Sequence, residues 1–266
     1  MITLSTLNKY KKDGRKFSCL TCYDAMFAKM MENAEVDTIL IGDSLGMVVQ
    51  GHDSTLPVSV DDIVYHTANV ARSNKHALIL ADLPFMSYAT LDDAIANSRK
   101  VMQAGAHVIK IEGGSELCDI VTTLANAGTP TCVHLGLTPQ SVNVFGGYKV
   151  QGKSDDSAAQ LINDAKAVVK AGAAIVLLEC VPAALAKAVT EAVDVPVIGI
   201  GAGADTDGQV LVMHDMLGVT HGRVARFVHD FLSDEDNEAR SVQGAFSLFH
   251  QSVIKGSYPK EEHQFN

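Results

Sequence analysis

A closed (β/α)8 barrel, the TIM-barrel fold, with an additional C-terminal helix is the architecture these 266 residues predict. Three observations carry it. Eight short aliphatic or β-branched runs recur along the chain, and they are nearly continuous in apolar character, as strands are when both faces of a parallel sheet are covered. Segments of helical spacing lie between them. Eight such β-then-α units within roughly 250 residues suit a closed barrel better than an open doubly wound sheet, which needs fewer strands and a topological switch.

In order, the runs are 17–22 FSCLTC, 38–42 TILIG, 77–81 ALILA, 107–111 HVIKI, 130–134 PTCVH, 174–178 AIVLL, 195–200 VPVIGI and 209–213 QVLVM. Ahead of the third run, Ile63, Ala68 and Val70 follow the acidic start Asp61-Asp62, which predicts a helix. Ahead of the fourth, Leu91, Ile95, Val101 and Met102 recur at helical spacing before the stop at Ala104-Gly105. Ser157 to Lys170, ending at Ala171-Gly172, and Ala183 to Ala192 read the same way. The eighth run follows a glycine cluster and is compatible with either a strand or a loop. Beyond about residue 222 the βα pattern stops, and Val242, Phe246, Phe249 and Val253 place one apolar face on a terminal helix. That face needs cover from the barrel's own helices or from a neighbouring subunit. The tail 257–266 reads as polar and extended. With no internal linker, 1–266 reads as a single barrel domain.

Hydrophobic residues at 47% and charged residues at 20% allow a sizeable core and exclude disorder. Lys+Arg 21 against Asp+Glu 31 leaves a net charge of −10 without a basic stripe, which argues against a nucleic-acid partner. No apolar run approaches the roughly 20 residues that cross a bilayer, so no membrane partner is expected. Five cysteines, an odd number, and a first segment MITLSTLNKYKKDGRK without an apolar core point to a reducing cytoplasm.

Acidic residues fall at the carboxyl ends of predicted strands: Asp43 after the second, Asp82 after the third, Glu112 after the fourth and Glu179 after the sixth. In a barrel those ends form the catalytic mouth. Lys110 and Glu112 are two apart and share one face of their strand, with Ile109 and Ile111 on the other. Neighbouring strands lie about 4.8 Å apart, which sets the carboxylates of strands two to four roughly 5 to 10 Å from one another. At an effective dielectric near 20, two like charges about 5 Å apart repel by roughly 3 kcal/mol. Such a cluster needs a cation, a shared proton or Lys110, and a divalent ion with oxygen ligands, magnesium foremost, neutralises more than one lysine does. The plainer alternative is that each acid only caps the helix that follows it. Glu179, flanked by Leu177, Leu178, Cys180 and Val181, is the candidate general base, because an apolar surrounding makes a carboxylate a better proton acceptor near neutrality.

These residues sit in longer strings: LTCYDA (20–25), IGDSLGMVVQGHDSTLPVSVDD (41–62), ADLPFMSYAT (81–90), IKIEGG (109–114), HLGLTPQSVNVFGGYKVQG (134–152), LLECVP (177–182), VIGIGAG (197–203) and GQVLVMHDMLG (208–218). Over nearly its whole length the chain resembles the 3-methyl-2-oxobutanoate (ketopantoate) hydroxymethyltransferases, barrels of the phosphoenolpyruvate/pyruvate group. The resemblance implies transfer of a one-carbon unit from 5,10-methylenetetrahydrofolate to 3-methyl-2-oxobutanoate, giving 2-dehydropantoate on the route to pantothenate and coenzyme A. It implies one Mg2+ per subunit on Asp43, Asp82 and Glu112, oxo-acid contacts from Asp43, Ser44, Asp82 and Lys110, and Glu179 as proton acceptor. It also implies a homo-oligomer, typically a decamer. His134, between the metal side and Glu179, is placed either to hydrogen-bond the substrate or to serve as a structural side chain tied to a backbone carbonyl.

Other signals are weaker. Gly199, Gly201 and Gly203 do not continue as a dinucleotide fingerprint and read as a close wall of the pocket. Cys19 and Cys22 have no second pair and read as buried thiols. Gly146-Gly147-Tyr148-Lys149 reads equally as a lid over the substrate or as a loop ordered against another subunit. A 2-methylisocitrate-type lyase of the same barrel group would use similar acids, but the reactive cysteine motif of that family is absent.

Overall fold

A computed structural model describes residues 1–222, 224–238 and 240–266. In chain order the elements are α1 (Leu4–Asp13), β1 (Phe17–Thr21), α2 (Ala25–Asn33), β2 (Thr38–Ile41), α3 (Leu45–Val48), α4 (Val60–Ser73), β3 (Leu78–Asp82), α5 (Leu91–Gln103), β4 (Val108–Glu112), α6 (Cys118–Asn126), β5 (Thr131–Gly136), α7 (Val142–Phe145), α8 (Asp155–Ala171), β6 (Ile175–Glu179), α9 (Ala183–Ala192), β7 (Val197–Ile200), β8 (Gly208–Leu211), α10 (Met213–Met216) and α11 (Val242–Ile254). The eight strands form a closed barrel in sequence order, every pair parallel, with β1 returning to β8. All eight predicted runs are strands, the eighth included, each within a residue or two of its expected bounds.

Local chemistry sets the helix starts. Ser59 and Ser154 accept from the backbone N–H groups of Asp62 and Ser157 in reciprocal capping boxes, and Thr90 caps α5 through Asp93. Gly172 ends α8 in the left-handed region at φ 113°, which a side chain disfavours. α1 lies across the amino-terminal end of the barrel. There Lys11 Nζ donates to Asp207 Oδ2 at 2.8 Å and to the Thr190 carbonyl at 2.9 Å. The opposite end, where the acidic side chains sit, stays open to function.

The outer ring is uneven. No helix separates β7 from β8, only the described loop 201–207. The carboxy-terminal segment fills this gap: the Ala183 N–H donates to the Phe265 carbonyl at 2.9 Å, and Phe227 and Phe265 pack against Gly201. The tail is therefore not simply polar and extended, since Tyr258 and His263 are buried and Glu261–His263 forms a 3-10 turn. The terminal helix α11 turns its apolar face, Phe246, Phe249 and Val253, onto β1 and α2, so the barrel itself supplies the cover. Ser18 Oγ and His250 Nδ1, 2.8 Å apart, tie α11 to the barrel wall.

One glycine determines where a functional strand can sit. Gly136 pairs with Glu179, has φ 88°, and a Cβ there would lie 2.5 Å from the Glu179 carbonyl oxygen. Gly136→Ala is expected to cost about 1 to 3 kcal/mol in urea denaturation, because left-handed strain and a backbone clash act together. Unchanged stability would mean that β5 and β6 part easily. Among the described residues no helix is long and apolar enough to cross a membrane.

Candidate active site

Strand register stacks the polar side chains as ascending steps. Asp82 pairs with Lys110, Glu112 with His134, and Gly136 with Glu179, each pair two residues beyond the last. Side chains two apart share a face, so Lys110 and Glu112 project together into the mouth while Ile109 and Ile111 pack outward, as their spacing predicts. Asp43 joins from the loop after β2, where its N–H donates to Asp82 Oδ2 at 2.9 Å.

The charges interlock. Lys110 Nζ lies 3.0 Å from Asp82 Oδ1 and 3.2 Å from Glu112 Oε1, with about 5% of its side chain exposed. His134 Nδ1 meets Glu112 Oε1 at 3.1 Å, and its Nε2 lies 3.4 Å from Glu179 Oε2, an ion-pair approach and not a formed hydrogen bond. Burial first, then the Asp82 and Glu112 carboxylates, hold the Asp43 carboxyl well above the usual carboxylate range. Burial also raises Asp82, against the pull of Lys110. Burial opposes ionisation of Glu112, yet Lys110 and His134 outweigh it and bring the carboxyl down to about 2. For Lys110 burial works against the charged form, and the three surrounding carboxylates more than reverse it.

The set fits a hard divalent cation by its donor chemistry. Three buried carboxylates face one lysine, Asp82 Oδ1 meets the Lys110 ammonium alone among the described residues, and the donors are all oxygen. Among the described residues no three His, Cys, Asp or Glu side chains converge on one point as they stand. Lys110 Nζ reaches the Asp82 and Glu112 oxygens instead, and those contacts would have to rearrange around an ion.

Each residue singled out from the sequence can now be placed. Asp43, Asp82, Lys110, Glu112 and His134 form one connected buried cluster, and Glu179 adjoins it with about 15% of its side chain exposed. Ser44 Oγ lies 2.9 Å from the Tyr23 hydroxyl at its edge. Two expectations change. Glu179 faces the His134 imidazole, a polar partner its flanking leucines did not announce, because strand alternation sends Leu178 to the other side. His134 is tied to carboxylates and not to a backbone carbonyl. The glycine cluster does not line the acids: Thr206 packs beside Gly199, Phe227 and Phe265 beside Gly201, and Ala183 beside Gly203. Cys19 and Cys22 are buried, and burial pushes both thiols up to about 12. Tyr148 brings the 146–149 loop to the rim, its hydroxyl 3.7 Å from Met47 Sδ. Sequence reasoning missed Gln140, Tyr88 and Tyr23, which sit in loops without periodicity.

The His134 imidazole has a measurable signature. Burial and Lys110 would lower its pKa, but Glu112, by charge and hydrogen bond, and then Glu179 raise it to about 9. A histidine raised in the folded state contributes stability that is complete below its unfolded value near 6.5 and is lost as pH rises through about 9. Metal-free protein is therefore expected to lose stability in urea titrations between pH 7 and 9, and His134→Gln to flatten that slope. Equal slopes for the two proteins would contradict an imidazolium at this position.

A family model described as Ketopantoate hydroxymethyltransferase matches residues 1–261. A curated relative from Psychrobacter sp. (strain PRwf-1), named 3-methyl-2-oxobutanoate hydroxymethyltransferase, is 82% identical over 270 residues and covers 100% of both chains. A relative of the same name from Acinetobacter baumannii (strain AYE) is 62% identical over 266 residues, 100% of this chain and 98% of its own. Among solved structures, phosphonopyruvate hydrolase in complex with oxalate and Mg++ superposes with a TM-score of 0.61 at 14% identity, over 80% of this chain and 81% of that one, a likeness of fold. A barrel with this acidic mouth, matched along almost its entire length by one family model and by near relatives of one name, belongs to the ketopantoate hydroxymethyltransferase family.

Proposed function

We propose that the chain catalyses transfer of a hydroxymethyl group from 5,10-methylenetetrahydrofolate to 3-methyl-2-oxobutanoate, yielding 2-dehydropantoate and tetrahydrofolate for pantothenate and coenzyme A synthesis. Asp43, Asp82 and Glu112 would hold one Mg2+ per subunit. That ion, when bound, supplies Lewis-acid stabilisation of the charge that develops on the keto oxygen. Lys110 adds positive charge beside the oxo acid, Ser44 donates to its carboxylate, and His134 hydrogen-bonds it from the next step of the register. Glu179 takes the C3 proton. C3 then bonds to the folate's methylene carbon, whose two bonds to the folate nitrogens break; one water supplies the hydroxyl oxygen, and its proton together with the C3 proton passed on by Glu179 end on those two nitrogens. The loop carrying Tyr148 covers the mouth during these steps. The single 1–266 domain works as a cytoplasmic homo-oligomer, a decamer in this reading.

The observation that carries this reading is the surplus of buried carboxylates around Lys110, with Glu179 3.4 Å from His134 on the following step. It pairs a cation-hungry pocket with a separate proton acceptor, which deprotonation beside a carbonyl needs. The test is purified protein with Mg2+, 3-methyl-2-oxobutanoate and the folate. Tetrahydrofolate release, and hydrogen exchange at C3 without folate, are expected. Neither occurring, or cleavage of an isocitrate-like acid instead, would overturn the reading.

A further inference from the structure

Gln140 lies in the loop after β5 and is buried, yet it belongs to none of the groups assigned above. Its backbone N–H donates to Glu112 Oε2 at 3.0 Å. Its side-chain Nε2 donates to Asp43 Oδ2 at 2.8 Å and to the Leu83 carbonyl at 2.9 Å. The Tyr88 hydroxyl donates to its Oε1 at 2.7 Å. The amide's orientation follows from its partners: the Leu83 carbonyl only accepts, so the NH2 must face it and, beside it, Asp43 Oδ2. The oxygen is then left for Tyr88, whose hydroxyl also accepts the Glu112 N–H at 3.2 Å. One residue thus joins the loops after β2, β3 and β5 to the end of β4.

We infer that Gln140, aligned by Tyr88, is a positioning residue that sets the rotamer of Asp43 and the placement of Glu112, and thereby the affinity of the carboxylate cluster for a divalent cation. The inference rests on the cation reading above. Groups that orient metal ligands are worth tenfold to a hundredfold in affinity when removed, because an unheld carboxylate must be ordered at the moment of binding. The main-chain bond to Glu112 survives any side-chain change, so substitution at Gln140 isolates the Asp43 arm. Tyr88→Phe leaves every protein donor to Asp43 in place but frees the amide to turn over.

The experiment titrates the full-length protein with Mg2+ by calorimetry and with Mn2+ by electron paramagnetic resonance, without substrates, and records thermal unfolding of the metal-free proteins alongside. Gln140→Met, close in volume and without the amide, is expected to bind both ions roughly tenfold to a hundredfold more weakly, with an altered bound-Mn2+ spectrum. Tyr88→Phe is expected to show a smaller loss in the same direction, and the double variant a loss smaller than the two single losses combined, since they share the Tyr88–Gln140 contact although Tyr88 also meets the Glu112 main chain. Wild-type binding matched within twofold by both variants overturns the inference and leaves the cation reading standing. Wild-type protein that binds neither ion overturns that reading, and this inference with it. If Gln140→Met does not fold, Tyr88→Phe decides by the same criterion.

Discussion

Glu179→Gln should lower turnover by roughly a hundredfold to ten-thousandfold, the range a single general base supplies, while leaving 3-methyl-2-oxobutanoate binding nearly intact. The expectation follows from place as much as from chemistry. Glu179 ends β6 on the step above Lys110 and Glu112, apart from the cluster whose carboxylates Lys110 engages. Losing its charge removes the proton acceptor without disturbing those ion pairs. The direct readout is deuterium exchange at C3 of the oxo acid in D2O, followed by NMR without the folate. Exchange should vanish in the variant, and exchange at the parent rate would assign the proton to another group.

Lys110→Met is expected to be the most damaging change to the metal-free protein. Removing the one ammonium leaves Asp43, Asp82 and Glu112 buried without it, and breaking one partner out of a buried pair costs about 3 to 5 kcal/mol. In a chain of this size that corresponds to a melting temperature lower by roughly 10 °C. The pH dependence gives an independent check. Burial already holds the Asp43 and Asp82 carboxyls above their ordinary values. A carboxyl raised in the folded state binds its proton more tightly folded than unfolded, so it lends stability as pH falls and withdraws it as pH rises. The variant should therefore regain stability between pH 7 and 5, and saturating Mg2+ at pH 7.5 should restore much of the loss. A variant as stable as the parent at pH 7.5 without metal would show that the carboxylates do not need the lysine.

Much of this was legible because parallel barrel strands are buried on both faces, which makes runs such as TILIG and AIVLL stand out, and because an acid ending such a run has one place to go. The alternation of Lys110 and Glu112 around Ile109 and Ile111 is enough to place two site residues on one face. What escaped has no period. Gln140 reaches Asp43 across 97 positions of chain, and nothing in the string TPQS announces that reach. The surroundings of Glu179 differ from its chain neighbours, because the pleat turns Leu178 away and His134 comes in from β5. The missing helix between β7 and β8 escaped too, since the eighth run follows glycines and the cover comes from Phe227 and from the distant Phe265.

The seam between β1 and β8 has a consequence during synthesis. Phe17 leaves the ribosome long before its partner Gly208. Until then β1 keeps a bare edge and an uncovered flank, because α11, which shields both β1 and α2, is made later still. Over that interval the nascent polypeptide is an open, sticky arc, and closure waits for pairing between residues as far apart as Phe17 and Gly208. Slow codons placed before residue 208 would prolong that exposure.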